Sequence, residues 1–366
     1  MINKERVLSS FLSLVQIDSE SKNERAVGEY LAEQLRALGL EVITDHAGET
    51  YGSNGFNILA RLPGEGEPIL LSAHMDTVTP GIGVKPVVRD GVVYSDGTTI
   101  LGSDDKSGVC TILEAVQTVV EQKIPHRPVE IMFSIGEELG MLGVKAFDCS
   151  QLKSRRAYIF DSGGEVGYII TQAPGQVKIF ADVYGKSAHA GAAPETGISA
   201  IQVAAHAVSK MKLLRIDEET TCNIGTFHAE YATNIVPDHV HLMAEVRSRD
   251  LGKLNAQVEH MRACLQEACD AFGAKLSCEL RTNYVTYKIP SESETVKAAI
   301  AAVEKIGCKA EIRQGGGGSD ANIYNQRGLE AIVLSTGMSK AHTKEECIKV
   351  ENLEKTAALA LELIKA

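Results

Sequence analysis

The sequence predicts an α/β protein: a larger domain with a mixed or parallel sheet and helices on both faces, and an inserted α+β domain with an antiparallel sheet. Short continuous apolar runs alternate with stretches of helical periodicity over the first part of the chain. Near Pro174 the pattern changes, and apolar and polar residues begin to alternate. From about Ser293 the helix–strand rhythm returns. The simplest organisation is one domain of residues 1–174 and 286–366, interrupted by a second domain of residues 175–285.

In the first part of the chain, the apolar segments have the length of strands, and they are Asn57 to Leu62, Ile69 to Ser72, Val129 to Ile135 and Ala157 to Phe160. The run at Ile69 is apolar throughout, which is typical of a strand buried on both faces. Helical periodicity predicts one helix at about Glu24 to Leu38 and another that begins just after Lys106.

In the inserted domain, Gln176 to Tyr184 and His239 to Val246 alternate apolar and polar residues, as strands with one wet face do. Two amphipathic helices are expected at about Gly197 to Met211 and Leu251 to Phe272. We therefore expect two strands and two helices here. The elements predicted after this domain are a helix from about Ser293 to Ile306, the strand Ala331 to Leu334 and a last helix from about Val350.

The composition argues against several classes of protein. The formal charge of −11, from 37 basic and 48 acidic residues, opposes nucleic-acid binding, which needs a cationic face. No apolar run approaches the roughly 20 residues that span a bilayer, and charged residues near Met1 do not fit a secretion signal. The eight cysteines are scattered and form no CxxC pair, so in a chain of this length we expect reduced thiols in a cytoplasmic protein, with a disulfide framework as the alternative. From the charge and the apolar runs we expect no nucleic-acid or membrane partner.

Two loops combine acidic residues with a histidine or a tight turn. His74 and Asp76 directly follow a predicted strand, where the imidazole could bind a metal and Asp76 could accept the other ring N–H. The alternative is an ordinary surface turn. In the loop of residues 102–108, Asp104 and Asp105 could cap the next helix, or one of them could bridge two cations. Chemistry alone does not distinguish between the two aspartates.

Three further loops carry acidic residues or a histidine. Glu137 and Glu138 follow the strand that ends at Ile135, so one could ligate a metal while the other acts as a general base. Asp161 ends another predicted strand, and His342 lies in a loop beyond the strand of residues 331–334. Each alone is explained as a turn, a cap or solvated surface. Their coincidence in five loops of one α/β domain predicts a site for two divalent ions, with Zn²⁺, Mn²⁺ and Co²⁺ as candidates.

The ordered motifs HMD, GSDDKSG, GEELG, FDSGG, GKSAHAG and HTKEE resemble those of the co-catalytic zinc peptidase family, over about residues 70 to 350. That family includes peptidase T, carboxypeptidase G, aminoacylase and succinyl-diaminopimelate desuccinylase. The resemblance implies a metal-binding catalytic domain and an inserted lid domain. The metal ligands that it implies, with Asp104 as the bridge, are His74, Asp104, Glu138, Asp161 and His342.

By the same resemblance, Asp76 orients His74, Glu137 is the general base, and His189 of the lid polarises the scissile carbonyl. For His189 the alternative is a loop histidine that shapes its own turn. The substrate-contacting positions that the resemblance implies are Asn234, Arg247, Gly318 and Ser319. For Arg247 a salt bridge near the end of a strand remains an equal alternative.

The branch of the family follows from smaller features. Asp161, in place of Glu, resembles the peptidase T and carboxypeptidase G side, and GSDDKSG with GEELGMLG is more similar to peptidase T. In this chain Phe160-Asp161-Ser162-Gly163-Gly164 replaces the Phe-Asp-x-Asp-Gly that is common in peptidase T. The resemblance thus implies a di-metal exopeptidase of short peptides, similar to a tripeptide aminopeptidase, that forms a homodimer through its lid. A carboxypeptidase or N-acyl amino acid amidohydrolase with the same metal centre is the alternative. A binding or scaffolding protein would be expected to have lost a ligand or Glu137.

Overall fold

The computed structural model describes residues 1–365. Over these residues the α-helices are α1 (Lys4–Val15), α2 (Arg25–Ala37), α3 (Ser103–Gln122), α4 (Leu142–Ala146), α5 (Ala200–Lys210), α6 (Leu251–Phe272), α7 (Glu294–Lys305), α8 (Asp320–Gln326) and α9 (Val350–Ile364). None of these helices is both long and apolar enough to cross a membrane, within the part of the chain that the structure describes.

The strands are β1 (Glu41–Thr44), β2 (Ile58–Leu62), β3 (Ile69–His74), β4 (Pro86–Arg89), β5 (Val92–Ser95), β6 (Val129–Ser134), β7 (Arg156–Ile159), β8 (Tyr168–Ala173), β9 (Gly175–Tyr184), β10 (Ala188–His189), β11 (Leu214–Arg215), β12 (Thr220–His228), β13 (Ile235–Val236), β14 (His239–Ser248), β15 (Lys275–Tyr284), β16 (Tyr287–Lys288), β17 (Glu311–Gln314), β18 (Glu330–Leu334), β19 (Met338–Ser339) and β20 (Cys347–Lys349). The chain forms two compact units. One consists of residues 1–172 with the segment from residue 288 onward, and the other of residues 173–287.

The first unit is built on a mixed sheet in the order β1-β2-β6-β3-β7-β18-β8, with β17 beside β8. Its centre is parallel: β3 runs alongside β6 from Ile69 opposite Val129 to His74 opposite Ser134, and also alongside β7. β18 is parallel to β7, whereas β2 and β8 are antiparallel to their neighbours β6 and β18. Because the central strands are parallel, their carboxyl ends meet at one edge of the sheet.

The continuous apolar runs lie where the sequence predicts buried strands. All six residues of β3 and all six of β6 are buried. The long helix α3 packs against α9, α1 and β3, and most of its side chains are buried as well. The hydrophobic effect of this core therefore holds the ends of β3 and β6 and the first turn of α3 in place.

The second unit is an antiparallel five-stranded sheet in the order β11-β12-β14-β9-β15, with helices α5 and α6 packed against β9 and β14. It has its own apolar core, which includes Ile179, Val203, Leu242 and Met261. The fold class predicted from the sequence, a mixed α/β unit plus an antiparallel α+β unit, is confirmed.

The predicted set of elements is incomplete, most clearly in the second unit and at the start of the chain. The second unit contains two further long strands, β12 and β15. In β12 an irregularity between Ile224 and Thr226 interrupts the apolar alternation, whereas Lys275 to Leu280 of β15 does alternate and was overlooked. The amphipathic helix α1 was not predicted either, although it buries Phe11 and Leu14 in the first unit. Helix α3 starts at Ser103, but Asp104 and Asp105 have non-helical dihedral angles, so its regular part begins close to the predicted position after Lys106.

Candidate metal centre

Three of the candidate ligands lie at the carboxyl edge of the central sheet. His74 is the last residue of β3, Glu138 follows β6, and Asp161 follows β7. The other two come from different elements: Asp104 lies in the irregular first turn of α3, and His342 lies in the loop between β19 and β20. The parallel strands and the long helix thus bring together residues that are far apart in sequence.

Asp104 lies between the two imidazoles. Its Oδ1 is 3.1 Å from Nε2 of His74, and its Oδ2 is 3.2 Å from Nε2 of His342. His74 Nε2 is also 3.9 Å from Oδ1 of Asp161, while His342 Nε2 is 2.8 Å from Oε1 of Glu138. Each oxygen of one carboxylate therefore faces a different histidine, which is the arrangement that a bridge between two cations requires.

The donor set fits a pair of divalent ions. Among the described residues, three overlapping groups have ligand atoms within 4.8 Å of one another: His74 with Asp104 and Asp161, His74 with Glu137 and Glu138, and Asp104 with Glu138 and His342. Imidazole nitrogens and carboxylate oxygens suit zinc, cobalt or manganese, and no thiolate is needed. The identity of the metal does not follow from these ligands.

The structure separates Asp104 from Asp105. The carboxylate of Asp105 is fully buried and accepts hydrogen bonds from the backbone N–H groups of His74, at 3.3 Å, and Gly108, at 3.1 Å. It is thereby held against the backbone of β3 and α3, whereas the carboxylate of Asp104 reaches both histidines. Asp105 supports the backbone of the site, and Asp104 faces the ligand cluster.

The charges of the site favour a cation. Burial and the nearby Asp161 carboxylate raise the pKa of Glu137 well above its usual range, and burial likewise raises the pKa of Asp161. Hydrogen bonds to Asp104 and Glu138 raise the pKa of His342 to about 10. Burial also acts to raise the pKa of Asp104, but the bonds with His342 and His74 outweigh it and the pKa is lowered. Acidic groups crowded in this way bind protons unless other positive charges replace them.

Asp76 contacts His74 both through its backbone oxygen and through its carboxylate. Nδ1 of His74 lies 2.9 Å from the backbone oxygen of Asp76 but 3.5 Å from its carboxylate. The carboxylate also accepts hydrogen bonds from the backbone N–H groups of Glu137, at 3.0 Å, and Glu138, at 3.3 Å, and from Ser21 Oγ at 2.7 Å. Asp76 thus orients His74 chiefly through its backbone and holds the turn that carries both glutamates.

The remaining candidates of the first unit lie at the start of α8. Ser319 caps this helix: its hydroxyl accepts a bond from the backbone of Ala321, and the Asn322 side chain bonds back to its N–H. Gly318 precedes it in the glycine-rich segment. The next residue, Asp320, is buried and accepts a 2.5 Å hydrogen bond from Ser134 Oγ at the end of β6.

His189, Asn234 and Arg247 belong to the second unit. His189 is exposed at the end of β10, and its Nδ1 accepts hydrogen bonds from the backbone N–H groups of Gly191 and Ala192, both at 3.1 Å. Asn234 is exposed beside β13, and its backbone oxygen accepts a bond from Ala190. In this structure Arg247 forms the salt bridge that the sequence left open, with Glu245 at 2.9 Å.

The sequence reasoning missed two buried acidic residues near the site, Asp320 and Glu346. Asp320 directly follows the predicted substrate position Ser319, and Glu346 is the last residue of the HTKEE motif. Their position within motifs was the available signal. Burial, which distinguishes Glu346 from its exposed neighbour Glu345, is not visible in a run of two glutamates.

Comparison with known proteins identifies the family. The model of peptidase family M20/M25/M40 matches residues 70–366, which includes every candidate metal ligand. The chain belongs to this family. One relative, the uncharacterized protein YqjE of Bacillus subtilis (strain 168), is 43% identical over 367 residues, covering 100% of this chain and 99% of that protein.

Two solved structures of similar proteins match almost the whole chain. The aminopeptidase PepT from Bacillus cereus ATCC 10987 is 42% identical with a TM-score of 0.92, covering 99% of this chain and 98% of that one. A tripeptidase from Staphylococcus aureus subsp. aureus mu50 is 41% identical with a TM-score of 0.96, covering 100% and 98%. This protein is therefore a peptidase T-like M20 peptidase, a hydrolase of peptide bonds.

Proposed function

We propose that this M20 peptidase is a di-metal exopeptidase that removes a terminal residue from short peptides, similar to a tripeptide aminopeptidase. The observation that carries the proposal is the position of Asp104 between His74 and His342, with Glu138 and Asp161 beside them. The likeness to an aminopeptidase and a tripeptidase over nearly the whole chain supports the choice of substrate.

One ion would be held by His74, Asp104 and Asp161, and the other by Asp104, Glu138 and His342. Zinc is the first candidate, with cobalt or manganese as alternatives. When bound, such a pair of ions lowers the pKa of a shared water towards about 7 and stabilises negative charge on the substrate oxygen. Asp76 keeps the ligands in place through the hydrogen bonds that its carboxylate accepts from the backbone of Glu137 and Glu138.

Glu137 is the general base in this proposal. It is buried at the edge of the cluster, with its carboxylate within 4.8 Å of ligand atoms of His74 and Glu138, where a carboxylate can take a proton from water and hold it until the amine leaves. The backbone N–H of Glu137 donates a hydrogen bond to Asp76. This bond holds the backbone of Glu137 in place, and the Glu137 carboxyl takes no part in it.

His189 supplies a donor to the substrate carbonyl in this proposal. Since its Nδ1 accepts two backbone hydrogen bonds, the neutral ring carries its proton on Nε2. An Nε2–H donor is what stabilisation of a developing oxyanion requires. The proposed contacts with the rest of the substrate are Asn234, Arg247, Gly318 and Ser319. For Arg247 this means that its guanidinium is shared with, or released from, Glu245.

A single assay tests the activity and separates it from its rivals. The purified enzyme, loaded with Zn²⁺, Co²⁺ or Mn²⁺, is incubated with a tripeptide of three different residues, and the products are identified by mass spectrometry. We expect release of the first residue. Release of the last residue would indicate a carboxypeptidase. Hydrolysis of N-acyl amino acids but not of tripeptides would establish the amidohydrolase and overturn the proposal.

The proposed assembly is a homodimer formed through the second unit. This unit exposes apolar side chains, among them Phe227 and Leu280, each 42% exposed. Light scattering at micromolar concentration is expected to give the mass of two chains, and a monomer mass would remove the proposal. A cytoplasmic location is proposed as well, because all eight cysteines are free and five are buried. Recovery in a secreted fraction of the native cells would contradict it.

A further inference from the structure

Glu346 is a buried carboxylate to which the two-metal chemistry assigns no task. It lies in the same loop as His342, and only 1% of its surface is exposed. Oε2 accepts hydrogen bonds from the backbone N–H groups of Leu101, at 2.9 Å, and Gly102, at 2.8 Å.

The other carboxylate oxygen of Glu346 accepts hydrogen bonds from the two residues that follow Gly102. Oε1 accepts hydrogen bonds from the hydroxyl of Ser103, at 2.7 Å, and from the backbone N–H of Asp104, at 2.9 Å. Four consecutive residues therefore donate to one planar group, and the last of them carries the carboxylate that lies between the two histidines.

This carboxylate joins two segments more than 240 residues apart in sequence. One segment leads into Asp104, and the other carries His342, whose side chain is 52% exposed. The exposed imidazole has little packing of its own to hold it. The bonds of Glu346 therefore provide a direct, rigid link between the backbones that present these two ligands.

We propose that Glu346 is a positioning residue that fixes the spacing of Asp104 and His342 and thereby the affinity for the ion that these two residues share with Glu138. The inference rests on the proposed two-metal function. Both carboxylate oxygens are needed because each accepts two donors, and hydrogen bonds to an ionised group are about twice as strong as neutral ones. Groups that hold metal ligands in this way typically contribute about 10- to 100-fold to metal affinity.

The test compares two neighbouring substitutions. Glu346→Gln places an amide N–H₂ against two donors while keeping the shape of the side chain. Glu345→Gln is the matched control, since Glu345 is exposed and makes only a surface ion pair with Lys340. Each full-length protein is stripped with a chelator, checked for native circular dichroism, and titrated with Zn²⁺ against a chromophoric chelator. Co²⁺-loaded samples are compared by visible absorption.

We expect Glu346→Gln to bind at least one of the two ions tenfold or more weakly and to show an altered Co²⁺ spectrum, whereas Glu345→Gln stays within twofold of the wild type. A natively folded Glu346→Gln protein whose affinities for both ions are reduced less than tenfold would overturn the proposal. The measurement needs no substrate, so it stays decisive even if the protein hydrolyses no tripeptide.

A milder variant covers the case in which Glu346→Gln does not fold. Ser103→Ala removes one of the four donors and leaves the carboxylate and all backbone bonds in place. A metal affinity lowered twofold or more supports the positioning role, and a smaller change in the folded protein overturns it. Loss of affinity without change in the circular dichroism of the metal-free protein distinguishes positioning from a general structural role.

Discussion

Glu137 and Glu138 are adjacent in sequence, yet the structure gives them different surroundings. Oε1 of Glu138 lies 2.8 Å from His342, within the ligand cluster. The carboxyl of Glu137 is buried beside it, and the charges of Asp161 and Asp320 add to burial in raising its pKa. Consecutive side chains on a turn after a strand can thus divide between metal binding and proton transfer.

From this division we expect Glu137→Gln to bind both ions normally and to lose peptidase turnover by a factor of about 100 or more, as for loss of a general base. Metal content is measured by elemental analysis and kcat with a tripeptide. Turnover within tenfold of the wild type, in a protein with two bound ions, would show that Glu137 is not the base.

For His189, substitution by alanine should lower kcat by about 100- to 1,000-fold with little change in metal content, because an oxyanion donor is lost. His228→Ala is the control, since His228 lies in the same unit and has no proposed role. Equal kcat values in the two variants would show that His189 has no catalytic role and only accepts the hydrogen bonds of its own turn.

Asp320 gives a pH dependence with a defined sign. Burial raises its pKa from 3.8 to about 6. In the metal-free protein, the folded state then holds this proton more tightly than the unfolded state. The resulting stability is full below about pH 4 and is lost as the pH rises to about 6, by the order of 3 kcal/mol at most.

We therefore expect wild-type protein to lose up to about 3 kcal/mol of unfolding free energy relative to Asp320→Asn between pH 4 and pH 6. Urea unfolding of both chelator-treated proteins at several pH values measures the difference. A difference that stays constant over this range would contradict a raised pKa for Asp320.

At the scale of elements, the approach of α3 to β7 sets the distance between two proposed ligands. Gly108 in α3 lies so close to the end of β7 that a Cβ there would be 2.3 Å from the backbone oxygen of Phe160 and 2.7 Å from Oδ1 of Asp105. Phe160 precedes Asp161, and Asp105 follows Asp104. The glycine thus lets the helix and the strand bring these carboxylates together.

Gly108→Ala is expected to destabilise the protein by about 1–3 kcal/mol, the usual cost of overpacking, and to weaken metal binding as α3 moves from β7. Thermal unfolding and a Zn²⁺ titration measure the two effects. Gly225→Ala, where a Cβ would meet nothing within 4 Å, is the control. Equal stability and affinity in both variants would mean that the contact at Gly108 is not a constraint.

At the scale of the whole molecule, the proposed ligands come from five separate segments of the first unit, whereas the second unit has a core of its own. An ion bound only by the folded state stabilises that state by mass action. The ion should therefore contribute to the stability of the first unit in particular, because its ligands all lie there.

Removal of metal by a chelator is expected to abolish activity and to lower the melting temperature, with a loss of about 4 kcal/mol if the free ion had been at 1,000 times its dissociation constant. Differential scanning calorimetry before and after removal, with metal content verified, measures the change. Readdition of Zn²⁺ should restore both properties. An unchanged melting curve would count against the proposal that these clustered residues bind metal ions.

Much of the fold followed from local patterns. The buried strands β3 and β6 were visible as continuous apolar runs, and the helices α3 and α6 as periodic ones. The strand β12 was less visible, because an irregularity between Ile224 and Thr226 breaks its alternation, whereas the alternating segment Lys275 to Leu280 of β15 was a signal that the prediction left out. The alternation of residues along a strand shows which of its faces is buried, but it does not show which neighbouring strands it pairs with.

What the sequence determined by itself is the kind of chemistry: two histidines and three acidic residues, most of them directly after predicted strands, in motifs of the M20 family. The tertiary structure alone decided how the acidic side chains are oriented. In the structure, Asp104 faces the histidines, whereas Asp105 is buried and accepts a hydrogen bond from the backbone of Gly108. Asp76 accepts a hydrogen bond from the backbone N–H of Glu137, and the buried Glu346 accepts one from the backbone N–H of Asp104. Orientation and burial depend on contacts between segments remote in sequence, and the spacing of residues along the chain does not encode these contacts.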